Sequence, residues 1–182
     1  VRKWLDEDFP KIKARAKVEG AEILWCDETG LRSDDVRGRS YALKGKTPTI
    51  RVNQKRHGCS IISTVTNKGS MRWMVFHGAL NAKVLINFLR RLIKGASRKC
   101  HVVLDNLRVH HSKKVTGWVE RNADKIALFF LPSYSPELNP VELANASLKH
   151  AATTHAPARR KGQMEKVASA HLKHLQRNPE EV

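Results

Sequence analysis

At 182 residues, 41% of them apolar, the chain fits a single domain with one sizeable core. Lys and Arg number 34 against 17 Asp and Glu, a formal charge of +17 with His neutral, which favours a polyanionic partner and nucleic acid before an anionic membrane surface. No apolar run approaches the ~20 residues of a membrane span, and no basic helix with a Trp, Phe and Leu face stands out.

The chain starts Val1-Arg2-Lys3-Trp4, with neither an initiator Met nor a signal-peptide pattern, and is expected to be a fragment lacking a neighbouring domain. Residues 1–20 read as a helical lead-in, broken near Pro10. Glu22 to Cys26 reads as a buried strand that ends at Asp27-Glu28, with Thr29-Gly30 punctuating its exit. From Arg32 to Arg56 come eight basic residues (Arg32, Arg37, Arg39, Lys44, Lys46, Arg51, Lys55 and Arg56) and two acids. Gly38, Gly45 and Pro48 interrupt this segment, as in a hairpin leaving the core. It is either a solvated face or, given the density of one sign, a nucleic-acid contact.

Two strands follow, His57 to Val65 and Met71 to Phe76, joined by the turn residues Asn67-Lys68-Gly69. Asn81 caps a helix whose stripe is Val84, Leu85, Phe88, Leu89, Leu92 and Ile93, with Gly95 at its end. His101 to Leu104 is a short buried strand ending at Asp105-Asn106. Ser112 to Asn122 is a helix, Ile126 to Leu131 a strand, Asn139 to about His150 a helix, and Met164 to Leu175 the stripe of a last one. Three antiparallel strands followed by strand–helix alternation predict an α/β fold, a mixed five-stranded sheet flanked by helices. Cys26, Cys59 and Cys100 are odd in number, widely spaced and set in apolar runs, so free buried thiols in a reducing cytoplasm are expected.

The stretch from Leu131 to Leu143, L-P-S-Y-S-P-E-L-N-P-V-E-L, has three prolines in nine residues. It predicts a stiff loop that opens a helix, with Asn139 as cap, Pro140 in the first turn and Glu142 three residues after the cap. Two strands end in acids, Asp27 and Asp105, and Glu142 can reach the same edge of the sheet. Three carboxylates in one place call for a hard divalent cation, and two such ions suit phosphodiester displacement. Each acid also has a plainer reading. Asp27 and Asp105 can simply turn the chain after a strand, and Glu142 can close a capping box onto the Asn139 amide. His110 and His111 read by default as exposed residues leading into a helix.

Taken together, Asp27-Glu28, Asp105-Asn106 with His110 five positions on, and S-P-E-L-N-P-V-E ending at Glu142 resemble the DDE transposases. The similarity is to the mariner-like superfamily in its bacterial insertion-sequence branch, over roughly residues 22–150, with 36 residues between Asp105 and Glu142. The resemblance implies a ribonuclease H-like catalytic domain over 21–155, with the basic excursion at 32–56 and a C-terminal helix in 156–182. It implies Asp27, Asp105 and Glu142 as catalytic ligands of Mg²⁺ or Mn²⁺, two ions in all. Water would be activated to nick DNA at a transposon end, and the freed 3′-hydroxyl to attack target DNA, without a covalent protein–DNA intermediate. Glu28, Asn106 and His110 would support the ligands, with Arg32 and the other basic residues of the excursion facing DNA. The partners implied are transposon-end and target DNA and a second protomer, in a bacterial, nucleoid-associated cytoplasmic setting. Many members carry Trp three residues after the final acid. Here that residue is Asn145, a departure expected to affect helix packing and to leave the ligand set untouched. A transposase-derived scaffold without activity is the alternative, but such a descendant usually loses an acid and all three stand here. Another ribonuclease H-like nuclease is the third reading, and nothing in that chemistry calls for the proline-framed loop.

Overall fold

A computed structural model describes residues 1–35, 41–47, 49, 57–133, 135–153, 160 and 162–182. Five strands form one sheet in the order β3-β2-β1-β4-β5: β1 (Glu22–Arg32), β2 (Gly58–Thr66), β3 (Met71–Phe76), β4 (Cys100–Leu104) and β5 (Ile126–Phe130). β1, β2 and β3 pair antiparallel, whereas β4 and β5 join β1 in parallel, so the sheet is mixed as the element order predicts. Side chains alternate between the faces of a strand. In β1 the odd positions Trp25 and Leu31 pack into one core with α1 (Phe9–Glu19), α4 (Val141–Thr153) and α5 (Gln163–Arg177). The even positions Leu24 and Cys26 pack into a second core with α2 (Ala82–Lys94) and α3 (Lys113–Glu120). The helices therefore cover both faces. All three cysteines are buried free thiols, as expected.

Local chemistry accounts for most boundaries. Asn81 accepts from the Lys83 and Val84 amides and starts α2, and Gly69, at φ +77°, closes the β2–β3 turn. Two expectations fail. Pro10 does not break the lead-in. A π-helical turn over Trp4–Asp8 runs straight into α1, where Pro10 sits in the first turn with its fixed φ suited to the helix. Nor does the first strand end at Asp27. Thr29 and Gly30 look like a strand exit, yet β2 stays paired with β1 through Arg32↔Gly58 and carries it six residues beyond Cys26. The parallel pairing with β4 does stop early, at Trp25↔Val103.

The bases of the 32–56 excursion meet where the Ser33 amide donates to the His57 carbonyl at 2.8 Å and the His57 amide to Ser33 Oγ at 2.9 Å. Lys44 and Lys46 lie in an exposed turn, while Arg37, Arg39, Arg51, Lys55 and Arg56 fall outside the described residues. No helix among the described residues is long and apolar enough to cross a membrane.

Candidate active site

Where β4 leaves β1, a cleft of about 350 Å³ opens, lined by Asp27, Asp105, Asn106, Leu107, residues 131–133, Ser135, Pro136, Asn139 and Glu142. Strand parity puts the two aspartates on one face. Asp27 follows Trp25 by two residues, Asp105 follows Val103 by two, and Trp25 and Val103 are register partners in the core shared with α4. Asp27 is thus held mid-strand, with Ser63 of β2 opposite it, while Asp105 stands in the first position beyond β4. Glu142 enters from the first turn of α4.

The proline-framed loop places that turn as its sequence suggests. Pro136–Leu138 forms a single 3₁₀ turn, and Asn139 Oδ1 accepts from the Val141 amide at 3.2 Å. The capping box, however, is not made. The Asn139 amide donates instead to the Pro136 carbonyl at 2.9 Å, which leaves Glu142 to line the cleft. Asn139, itself 5% exposed, also donates through Nδ2 to the Cys26 carbonyl at 3.3 Å and so ties the helix start to β1 beside Asp27.

Charge crowding is visible in the acids. Burial first, then the Glu142 charge and more weakly the Asp105 charge, push the Asp27 carboxyl up from 3.8 to about 7, against the opposing pull of a hydrogen bond from the Glu28 backbone and the Lys149 charge. Among the described residues no three His, Cys, Asp or Glu side chains stand close enough to hold one metal ion. The donor set itself, three carboxylates on three different elements, suits a hard oxygen-seeking cation such as Mg²⁺ or Mn²⁺.

The supporting residues divide. His110 is 3% exposed, and its Nδ1–H reaches the Asp105 carbonyl at 2.9 Å and carboxylate Oδ1 at 3.1 Å. It braces Asp105 from within the protein and is not the exposed residue of the default reading. Asn106 lines the cleft between His111, whose ring nitrogen it meets, and Ser133 Oγ, to which it donates at 3.4 Å. Glu28 occupies an even position of β1 and faces away from Asp27. Its carboxyl is raised by burial and then by the Asp105 charge. Arg32 is exposed and forks onto Asp34 at 3.0 and 2.9 Å.

Asn145, a departure expected to bear on packing more than on chemistry, does reach a candidate ligand. It is 2% exposed, and its Nδ2–H donates to Asp27 Oδ2 at 2.8 Å. Glu142, Asn145 and Lys149 recur at three- and four-residue spacing, so one face of α4 supplies three of the groups that act on Asp27, beside Asp105 and the Glu28 backbone. The spacing was readable from the sequence, but the target of Asn145, on a strand 118 residues earlier, was not.

The sequence profile of the DDE superfamily endonucleases matches residues 22–165. No curated protein matched by sequence similarity. Among solved structures, the Mos1 strand transfer complex shares 18% identity at a TM-score of 0.65, covering 94% of this chain and 56% of that one. A Mos1 transposase paired-end complex with the left transposon end gives 19% and 0.64, covering 94% and 57%. The catalytic core domain of BIV integrase gives 16% and 0.52, covering 83% and 80%. These likenesses establish a ribonuclease H-like fold, and the chain spans little more than half the length of the Mos1 proteins.

Proposed function

Because this chain belongs to the DDE superfamily endonucleases, we propose that it is the catalytic domain of a mariner-like DNA transposase of the bacterial insertion-sequence type, with Asp27, Asp105 and Glu142 as its metal ligands. The observation that carries this reading is the delivery of three carboxylates to one cleft by a strand, a strand end and a capped helix start. Two ions, Mg²⁺ or Mn²⁺, would supply Lewis-acid stabilisation of the attacking and leaving oxygens of a phosphodiester displacement.

The protein's own contribution is positional. β1 fixes Asp27 on a backbone paired to β2, His110 braces Asp105, and Asn139 holds the first turn of α4 so that Glu142 enters at a set height. In the reaction so assigned, water opens a phosphodiester at the element's end and leaves a free 3′-hydroxyl. That hydroxyl then displaces a phosphodiester of target DNA. The net charge of +17, with Arg32, Lys44 and Lys46 exposed beyond the cleft, supports a DNA partner. Two protomers, one for each transposon end, complete the assembly.

Nicking of supercoiled plasmid with Mg²⁺ tests the reading. Asp105→Asn should abolish nicking and leave salt-sensitive DNA binding intact. Undiminished nicking by that variant removes Asp105 from the site.

A further inference from the structure

On α4, Val141, Ala144 and Leu148 all pack into the core, and Asn145 lies among them at 2% exposed. An aliphatic side chain would fit that setting, and an amide buried there is costly unless it is bonded. Its bond is the one to Asp27 Oδ2, at 2.8 Å. An ionised carboxylate only accepts, so the amide must turn its NH₂ group to it. The backbone of Asp27 is held opposite Ser63 in the sheet, and the preceding carbonyl, that of Cys26, is held by Asn139. With the backbone and one carboxylate oxygen fixed, little rotational freedom is left to the side chain.

We propose that Asn145 is a positioning residue that, by engaging Oδ2, locks the Asp27 carboxylate in the one orientation in which it takes a divalent cation. The proposal rests on the reading of Asp27 as a metal ligand, and adds that α4 supplies both a ligand of its own, Glu142, and the brace of the ligand facing it. Asn145 itself touches neither substrate nor ion. A merely structural role would tie α4 to β1 and leave cation affinity unchanged, so affinity is the quantity to measure.

The test is Mn²⁺ binding to the 182-residue chain without DNA, read from the electron paramagnetic resonance signal of free Mn²⁺. Asn145→Leu, with the same branched skeleton of side-chain heavy atoms and no donor, should fold with unchanged circular dichroism and bind Mn²⁺ about 10–100-fold more weakly, the usual cost of losing a partner behind a metal ligand. Asn145→Ala serves if the Leu variant does not fold, and should weaken binding similarly. Mn²⁺ affinity within twofold of the parental chain in a folded Asn145 variant overturns the proposal. Failure of both variants to fold assigns the residue to stability and overturns it as well. Asp27→Asn separates the two layers of argument. If it loses Mn²⁺ binding while the Asn145 variants keep it, only the positioning role falls. If Asp27→Asn binds like the parental chain, the ligand assignment falls, and the positioning role with it.

Discussion

Asp27→Asn should stabilise the metal-free protein at pH 8. In the folded chain the Asp27 carboxyl is raised to about 7 by burial and then by the Glu142 and Asp105 charges, whereas in the unfolded chain it returns towards 3.8. Between those values the folded state holds the extra proton, so the contribution of Asp27 to stability is fully present below 3.8 and is lost as pH rises to about 7. At about 1.36 kcal/mol for each pH unit the full loss is about 4 kcal/mol, and the residual solvent contact of Asp27 reduces it to about 2–4 kcal/mol. The Asn variant carries no such charge and can still accept from Asn145. Thermal unfolding in EDTA at pH 5 and pH 8 makes the comparison, with a melting temperature about 5–10 °C higher for Asp27→Asn at pH 8 and a gain roughly a third as large at pH 5, where only the first part of the loss has occurred. His171, lowered by burial and then by His174, contributes in the opposite direction over this range, but it does so equally in both proteins and cancels. Saturating Mg²⁺ should raise the parental melting point at pH 8 and leave the variant's almost unchanged. Equal melting temperatures in EDTA at both pH values would refute the reasoning, because the buried charge would then carry no penalty.

Asn139→Ala removes the cap on the Val141 amide and the bond to the Cys26 carbonyl, and should cost about 2 kcal/mol in urea unfolding together with most of the nicking activity. Full nicking by that variant would separate the helix start from the chemistry. Glu19 takes hydrogen bonds from Lys99, Arg15 and His101, which hold its carboxyl down at about 2 against an ordinary 4.5. Its contribution is present above 4.5 and lost as pH falls towards 2, so acid unfolding over that range should be shallower for Glu19→Gln. Identical acid slopes would show that these bonds add nothing.

The parts of the molecule that local chemistry decides were legible. The Asn81 and Asn139 caps, the Gly69 turn and the apolar stripe of α2 each announce themselves within a few residues, and the structure has all of them. What escaped depends on a distant partner. Thr29 and Gly30 suggest an exit because the sequence of β1 does not show that β2 will pair with it to Arg32. Glu142 and Asn139 match a capping box, and only the 3₁₀ turn ahead of them, which takes the Asn139 amide, leaves the carboxylate to the cleft. Asn145 carries no local signal, since a polar residue on a helix reads as exposed until its acceptor is known. His110 differs: its two acceptors on Asp105 lie only five residues back, and the family resemblance gives it a supporting role that its local sequence does not.

The continuation of β1 past Asp27 also sets a length. Arg32, where the basic excursion leaves the sheet, lies five residue steps along the strand from Asp27, which at about 3.3 Å per residue is about 17 Å. Duplex DNA advances about 3.4 Å per base pair, so the same span is about five base pairs, half a helical turn. For a duplex lying along β1 with a phosphate in the cleft, the excursion begins where the backbone has rotated to the opposite side of the helix. For DNA so placed, the strand would set that offset, and its unbroken pairing with β2 would keep it fixed.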